Sequence, residues 1–264
     1  MSKHVVFFSG GVGSWAAAKK VSEQVGPEQT ILLFADTLIE DEDLYRFVDE
    51  VAVQLGVEIV KLVDGRTPWQ VFRDNRWIGN TRTAHCSQEL KTEQCEKWVR
   101  ANCDPALTTL YMGIDWTEEH RLVRARARWK GWSLEAPLCS PPYMTKSDLL
   151  AALVESGIQP PRLYSLGFPH NNCGGFCVRA GQSQFALLLK TFPERYAEHE
   201  LEELALRDHL GKDVSILRDR RGGDTKALTL RALRERIQAK EEIDPYDWGG
   251  CGCFLEDEVV AVDE

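Results

Sequence analysis

The sequence predicts an α/β fold with a doubly wound, mainly parallel sheet. Three apolar runs, each short enough for a buried strand, alternate with two helical patterns near the N-terminus. Helix-ending residues follow both patterns, Gly26-Pro27 after the first and Gly56 after the second. Strands that alternate with helices in this way pair in parallel, because each helix serves as a crossover connection.

The remaining elements follow in order along the chain. A fourth apolar run, TTLYMGI, predicts another strand, and helical patterns dominate beyond Leu138. The predicted strands lie at residues 5–8, 30–35, 57–63 and 108–114. The predicted helices lie at residues 15–25, 40–55, 86–101, 118–130, 146–156, 183–189, 193–210 and 225–240, with a short helix and an aromatic loop at 69–77.

Composition changes near residue 140, where proline pairs at 141–142 and 160–161 bracket one helix. We predict an α/β domain over residues 1–140. We predict a helical, cysteine-bearing subdomain over residues 141–264, which ends in a flexible acidic tail.

Length and charge restrict the class of protein. The chain has 264 residues and a net charge of −9, and no apolar run is long enough to span a bilayer. With no cleavable signal pattern, a cytoplasmic location is expected. The eight cysteines then favour metal ligation or reactive thiols over disulfides. The acidic balance argues against attraction of nucleic acid over the whole surface, but not against a local basic groove.

Residues 4–14, HVVFFSGGVGS, combine an apolar run, a glycine turn and the start of a helix. Such a turn gathers backbone N–H groups at the positive end of a helix dipole. Gly10 and Gly11 allow close approach of an anion, and Ser9 and Ser14 add hydroxyl donors. The turn therefore predicts a phosphate site. Neither the Walker P-loop nor the dinucleotide fingerprint has this spacing.

Polar residues follow the strands at their carboxyl ends. Asp36 and Thr37 follow the second strand, and Asp115 follows the fourth. Ligands of doubly wound sheets bind outside these ends, so Asp36 and Thr37 are expected to share a crevice with the turn. The alternative for Asp36 is a helix cap or a loop acid.

A basic stretch covers residues 118–130, with Arg121, Arg124 and Arg128 on one helix face. The interpretations are a solvated face, binding of substrate phosphates, or binding of a nucleic-acid backbone. Trp129 and Trp132 lie nearby in sequence and are the only aromatic hint of nucleic acid.

Four ordered segments resemble the PP-loop ATP pyrophosphatase and phosphoadenosine phosphosulfate (PAPS) reductase superfamily. Ser9-Gly-Gly-Val-Gly-Ser14 is similar to its S-G-G-x-x-S loop, and the strand end at 34–40 is similar to its "DTG" segment. Residues 86–91, CSQELK, resemble its C-x-x-x-L/R-K segment. Residues 113–121 resemble "GIR…E…R", and residues 146–164 resemble "D…GIP…PLY".

This resemblance implies a Rossmann-like fold of the adenine nucleotide alpha-hydrolase type, with the nucleotide held by residues 1–140. ATP or a related adenine nucleotide would bind, with Mg²⁺ as a further candidate cofactor. Phosphate or sulfate oxygens would contact the turn, adenosine would contact two strand ends, and two cations would neutralise the transferred or leaving group. The residues implied for the phosphate or sulfate are Ser9, Gly10, Gly11, Gly13 and Ser14. Those implied for adenosine are Phe34, Asp36, Thr37, Gly113 and Ile114. The two implied cations are Lys91 and Arg121. Gly13 stands where ATP-cleaving members usually carry aspartate.

Two cysteine pairs occupy glycine-rich segments, Cys173-Gly-Gly-Phe-Cys177 and Cys251-Gly-Cys253. Such loops let thiolates converge on one metal centre. The iron–sulfur branch of the family adds Cys86, just before Lys91. The preferred hypothesis is a [4Fe–4S] cluster on Cys86, Cys173, Cys177 and either Cys251 or Cys253.

The other tail cysteine, Cys253 in the preferred assignment, would then be a nucleophile or sulfur carrier. A zinc site on the two pairs is the second interpretation, and unligated thiols are the third. Cys95, Cys103 and Cys139 have no partner spacing and are expected to be structural. His85 and His170 are alternative ligands, although ordinary hydrogen-bonded histidines are expected there.

Three functions follow from these observations. The first is an enzyme that uses ATP to adenylate an acceptor, either a nucleic acid or a small molecule, for sulfur transfer. The second is a sulfonucleotide reductase that releases sulfite from PAPS or adenosine phosphosulfate. The third is a non-catalytic nucleotide- and metal-binding subunit, for which Gly13 is the main argument. A sulfur- or electron-donor protein and a homo-oligomer are compatible partners, and no membrane is expected.

Overall fold

The computed structural model describes residues 2–80, 83–221 and 224–250. Its centre is a parallel sheet of five strands in the order β3-β2-β1-β4-β5. The strands are β1 (Lys3–Phe7), β2 (Thr30–Asp36), β3 (Glu58–Val63), β4 (Thr108–Met112) and β5 (Ser133–Glu135). The predicted doubly wound α/β fold is therefore confirmed. The edge strand β5 was not predicted from the sequence, since three residues are too few for a recognisable pattern.

Helices cover the sheet and continue into the C-terminal half. They are α1 (Val12–Val25), α2 (Glu42–Leu55), α3 (Pro68–Asp74), α4 (His85–Ser87), α5 (Glu93–Asn102), α6 (Arg121–Arg128), α7 (Lys146–Glu155), α8 (Arg162–Ser165), α9 (Gln182–Thr191), α10 (Pro193–Leu210) and α11 (Leu230–Gln238). A π-helical segment, Gln88–Thr92, joins α4 to α5.

Alternate residues of the central strands enter two different apolar clusters. Val6 and Phe8 pack with α1, α2 and α7, whereas Val5 and Phe7 pack with α5 and α6. This alternation follows from the two-residue period of a strand, and it explains why the strand sequences are apolar without interruption. The sheet is thus the middle layer of three.

A third cluster packs helices α3, α9, α10 and α11 around Phe176 and Tyr196. It includes residues from 69–90 and from 163–233, so it draws on both sides of the boundary predicted at residue 140. That boundary stays a prediction. No helix in the described part of the chain is long and apolar enough to cross a membrane.

The single helix predicted for residues 225–240 is wrong. The structure has a strand, β7 (Lys226–Leu228), which pairs antiparallel with β6 (Leu217–Asp219), and only then α11. Thr229 ends the strand and caps the helix, because its side chain accepts a hydrogen bond from Ala232 N. The lone Thr between two short patterns is an N-cap signal that marks this boundary in the sequence.

Candidate functional site: two cavities that share one wall

A cavity of about 480 Å³ opens at the carboxyl ends of β1 and β4. The strand order reverses between these two strands, which is the point where doubly wound sheets bind ligands. Its lining comes from the turn after β1, the segment from β4 to α6, and residues near the start of α7. The fourth contribution is the loop at residues 170–172, which the sequence did not connect with this crevice.

The turn after β1 has the geometry of an anion site. Gly10 has φ +77°, and a Cβ there would meet Leu44 Cδ1 at 2.2 Å, so only glycine fits. Gly11 is the N-cap of α1, and the hydroxyl of Ser14 donates to Gly11 O at 2.8 Å. The first-turn amides of a helix have no acceptor within the helix. The amide of Val12 donates to the hydroxyl of Tyr164 at 3.2 Å.

Most of the predicted nucleotide residues line this cavity. They are Ser9, Gly11, Gly13, Ser14, Gly113, Ile114 and Arg121. Gly10 shapes the turn without lining the cavity.

The strand end at residues 34–37 lies elsewhere. Phe34 packs into the core with its ring 6.4 Å from that of Tyr45. The carboxylate of Asp36 accepts hydrogen bonds from Tyr45 Oη at 2.9 Å and Leu38 N at 2.8 Å. Thr37 lines a second cavity. The structure therefore does not bring Phe34, Asp36 and Thr37 into the crevice with the turn.

Two cations line the large cavity. Arg121 pairs with Glu118 at 2.6 Å, and its side chain is 13% exposed. The Nζ of Lys146 lies 4.8 Å from the centre of the Tyr164 ring and donates to Pro169 O. The sequence analysis did not select Lys146 as a ligand of the nucleotide. Together with the amides of α1, these cations suit the phosphates of a nucleotide.

Neutral groups line the wall of this cavity at residues 170–172. Burial, with Lys146 and Arg121 nearby, lowers the pKa of His170 to about 4, so its imidazole is neutral at physiological pH. Asn171 is 2% exposed, and its Nδ2 donates to Gly10 O at 3.3 Å. The predicted alternative of His170 as a metal ligand is not supported by this position, since the ring lines the large cavity.

The second cavity is small, about 20 Å³, and three cysteines line it. Cys86 comes from α4, and Cys173 and Cys177 come from the loop before α9. Burial raises the pKa of the Cys173 thiol well above its usual range, and the neighbouring Glu40, Cys177 and Cys86 raise it further. Ionising several of these neighbouring buried thiols would be costly unless a cation neutralised the charge of the thiolates.

Lys91 belongs to the small cavity, although the family resemblance placed it at the transferred group. Its Nζ lies 3.0 Å from Glu40 Oε1, with side-chain exposures of 4% and 1%. The hydroxyl of Thr37 donates to the same oxygen at 3.0 Å, and the backbone N–H of Cys173 donates to Glu40 Oε2. The carboxylate of Glu40 thus holds together the end of β2, the π-helical segment and the loop at Cys173. The sequence analysis missed this residue, because its partners are up to 133 positions away.

The π-helical segment explains why Lys91 accompanies Cys86. Residues five positions apart lie on different faces of an α-helix, but on a π-helix, which has a wider turn, they lie on the same face. Two side-chain hydrogen bonds to backbone carbonyls around this segment also span five positions. Thr92 Oγ1 donates to Ser87 O, and Gln94 Nε2 donates to Glu89 O. Cys86 and Lys91 consequently line the same cavity.

The loop at residues 170–175 forms a wall of both cavities. His170, Asn171 and Asn172 line the large one, and Cys173 lines the small one. Cys173 has φ +50° and is followed by two glycines that also have positive φ. A cysteine in this backbone region is uncommon, and bonds to Glu40 and from Arg195 Nη1 to Gly174 O, at 2.6 Å, hold it there.

The cysteine set has suitable chemistry for an iron–sulfur or zinc site, since thiolates are the usual ligands of both. Within the described residues, no three His, Cys, Asp or Glu side chains stand close enough to hold a metal ion. The predicted ligands Cys251 and Cys253 lie outside the described residues. Gly250, which is described, donates from its backbone N to Arg179 O at 3.0 Å, and Arg179 lines the cavity.

The other predicted features are structural. Cys95 is 1% exposed in the core, and Cys139 Sγ contacts Ile114 O at 3.4 Å. Arg128 pairs with Glu96 at 2.7 Å, and Trp129 is buried against Phe7. The aromatic hint of nucleic-acid binding at Trp129 is therefore not supported by its position.

Comparison with known proteins finds a matching family model and similar solved structures. Residues 3–130 match the phosphoadenosine phosphosulfate reductase domain family. No curated protein matches the chain significantly. A solved structure that matches is phosphoadenylyl-sulfate (PAPS) reductase from Candida auris in a phosphate complex, at 15% identity and a TM-score of 0.42. That match covers 62% of this chain and 78% of the other.

Proposed function

We propose that the chain is an adenine-nucleotide enzyme of sulfur metabolism, which activates an acceptor with ATP and receives sulfur through a cysteine centre. The observation that carries this proposal is the shared wall at residues 170–175. A cavity with phosphate-binding features and a cavity with three cysteines meet there. The similarity of residues 3–130 to PAPS reductase domains supports a nucleotide linked to sulfur chemistry.

The large cavity would bind ATP through the first-turn amides of α1, Arg121 and Lys146. An acceptor oxygen attacks the α-phosphorus, the bond to the bridging oxygen breaks, and pyrophosphate leaves. The acceptor then carries AMP as a good leaving group. Arg121 and Lys146 stabilise the negative charge that develops on the phosphoryl oxygens. Sulfide supplied by a donor displaces AMP and leaves sulfur on the acceptor. If the donor supplies a persulfide instead, its terminal sulfur displaces AMP to form an acceptor–donor disulfide. A second thiol of the donor then cleaves that bond, which leaves the sulfur on the acceptor and the donor as an internal disulfide.

The proposed ligands of a [4Fe–4S] cluster, with zinc as the second candidate, are Cys86, Cys173 and Cys177, with Cys251 or Cys253 as the fourth. Binding would require the three described thiols to approach more closely than they stand in this structure. A bound cluster supplies redox or sulfur-coordinating chemistry beside the acceptor. The positive charge of Lys91 would offset part of the negative charge of the thiolates, although Glu40 already neutralises much of the charge of Lys91. This chain's own contribution is to bring the thiols together and to exclude water from a small buried cavity.

A sulfonucleotide reductase is the second candidate, and the family match favours it. A thiolate sulfur would attack the sulfate sulfur of the nucleotide, with release of the nucleotide and then of sulfite when a dithiol reductant resolves the enzyme thiosulfonate. The predicted nucleophile is Cys251 or Cys253, and both lie outside the described residues. The two candidates differ in the nucleotide that reacts.

Anaerobic purification with metal analysis tests the cysteine centre. We expect about four irons per chain and broad visible absorption. Cys86→Ser, Cys173→Ser and Cys177→Ser should each lose iron, whereas Cys103→Ser, outside the cavity, should retain it. Stoichiometric zinc in a colourless protein would select the zinc site, and an absence of both metals would refute a metal centre.

Nucleotide assays test the reaction. Binding of ATP, with pyrophosphate and AMP formed when acceptor candidates are added, supports the first candidate. Sulfite release from PAPS or adenosine phosphosulfate with thioredoxin as reductant would select the second. Failure of all adenine nucleotides to bind would refute both.

A further inference from the structure

The wall of the large cavity contains two adjacent side chains with unused hydrogen-bonding capacity. Asn171 is 2% exposed, and its Oδ1 is buried with no hydrogen-bond partner among the described residues. No hydrogen bond joins the ring nitrogens of His170 to the rest of the described chain, and both side chains line the cavity. A buried acceptor without a donor is costly, so a ligand that brings a donor recovers free energy here.

The orientation of the Asn171 amide is fixed by its neighbour. Nδ2 donates to Gly10 O at 3.3 Å, and that carbonyl cannot serve an amide oxygen. Gly10 has a positive φ, and Leu44 occupies the space that a side chain on Gly10 would need. The atom left for a ligand is therefore Oδ1, which only accepts.

His170 offers a second acceptor. A neutral imidazole has one nitrogen without a proton, and burial beside Lys146 and Arg121 keeps this ring neutral. The residue pair thus presents two neutral acceptors side by side. Phosphate and sulfate oxygens are acceptors too, so they gain nothing from Asn171 Oδ1.

An adenine nucleotide has few groups that can donate. They are the amino group of the base and the two ribose hydroxyls, because its phosphates are ionised. Asn171 is hydrogen-bonded to Gly10, in the turn that suits the phosphates. The ribose is the part of the nucleotide joined directly to a phosphate, whereas the amino group lies at the far edge of the base. The ribose hydroxyls are therefore the donors within reach.

We infer that His170 and Asn171 bind the 2′- and 3′-hydroxyls of the ribose, which makes this site selective for adenine nucleotides with a free cis-diol. The inference rests on the proposed binding of an adenine nucleotide. It narrows the range of nucleotides in that proposal. A 3′-phosphate would remove the 3′-hydroxyl donor and place an anion next to the acceptor atoms of His170 and Asn171, which is unfavourable. ATP and adenosine phosphosulfate fit the pair, and PAPS does not.

Calorimetric titration of the full-length protein with ATP, 2′-deoxy-ATP and 3′-deoxy-ATP tests the inference without any variant. Each deoxy analogue should bind about tenfold more weakly than ATP, which corresponds to one lost hydrogen bond. AMP should bind more tightly than adenosine 3′,5′-bisphosphate. Equal binding of ATP and both deoxy analogues, or tighter binding of the bisphosphate, would overturn the inference.

Two variants show which of the two side chains binds which ribose hydroxyl. Asn171→Leu should abolish discrimination against one deoxy analogue, and His170→Phe should abolish it against the other. The control is Asn102→Leu, because Asn102 also donates to a backbone carbonyl but is exposed and is not among the residues that line the cavity. Variants that bind all nucleotides weakly yet keep the full ratios would show a structural role and refute direct contact. No binding of any adenine nucleotide by the wild type would instead refute the proposed function.

Discussion

The backbones of Gly13 and Gly113 are in direct contact, and neither residue has room for a side chain. A Cβ on Gly13 would meet Gly113 O at 2.9 Å, and a Cβ on Gly113 would meet Gly13 C at 2.7 Å. This contact fixes the start of α1 against the end of β4, and both residues line the nucleotide cavity. An aspartate at position 13, usual in ATP-cleaving members of the resembled family, is therefore excluded unless β4 moves.

Gly13→Ala should destabilise the protein by about 1–3 kcal/mol, because the new methyl group overlaps a backbone carbonyl that cannot rotate away. Urea unfolding measures the loss. Gly250→Ala is the control, since a Cβ there meets no atom of the described residues within 4 Å. A Gly13→Ala protein as stable as the wild type would contradict the contact between the two backbones.

Lys91→Met should destabilise the protein by about 3–5 kcal/mol, because it leaves the buried carboxylate of Glu40 without its cation. The double variant Lys91→Met/Glu40→Gln should recover much of that loss. Its glutamine carries no charge, and its amide oxygen can still accept from Cys173 N. Denaturant unfolding of both single variants and the double variant gives the coupling free energy. Losses that simply add would mean that the two groups do not interact.

Arg121→Ala should weaken ATP binding by about 10- to 100-fold, the range for a hydrogen bond to a charged group. Arg121 lines the cavity beside the turn that suits the phosphates. Arg128→Ala is the matched control on the same helix, since that guanidinium pairs with Glu96 outside the cavity. Equal affinity of the two variants for ATP, measured by calorimetry, would remove Arg121 from the site.

Stability should fall as the pH rises through neutrality because of Glu203. Burial raises the pKa of its carboxyl from 4.5 to about 7, although its oxygens accept from Ile216 N and Leu230 N. The folded state therefore holds a proton that the unfolded state releases above pH 4.5. This contribution is complete below pH 4.5 and lost as the pH passes 7, by at most about 3 kcal/mol.

Unfolding free energies at pH 5, 6, 7 and 8 check that expectation. Glu203→Gln does not titrate, so its stability should vary less over this range. Glu200→Gln is the comparison, because Arg231 and Arg234 lower the pKa of Glu200 and that group is already ionised at pH 5. An identical slope for wild type and Glu203→Gln would rule out Glu203 as the titrating group.

Local patterns in the sequence were enough for strands β1 to β4 and for the turn after β1. Apolar runs and glycines act through the chain nearby, so residues 4–14 already indicate a strand, a turn and a helix. The grouping of Cys86 with Cys173 and Cys177 was also proposed from the sequence, through resemblance to a family, and the structure places all three on one cavity.

Long-range contacts account for what the sequence could not supply. Glu40 looks like one acid among several before α2, and only the folded chain brings it to Lys91 and Cys173. His170 and Asn171 precede a cysteine motif, which directs attention to metal ligation and away from the nucleotide cavity that they line. The position of Asp36 at a strand end likewise gave no sign that Tyr45 would donate a hydrogen bond to its carboxylate.

The π-helical segment makes the cysteine cavity sensitive to the number of residues in the chain. Cys86 and Lys91 share a face only while the segment keeps its wider turn of five residues. If the segment relaxed into an ordinary α-helix at its present length, Cys86 and Lys91 would lie about 140° apart around the helix axis. An α-helical turn would keep the thiol and the ammonium group on one face only if one residue between them were lost, because residues four positions apart share a face. The length of this segment and its wider turn are therefore matched to each other.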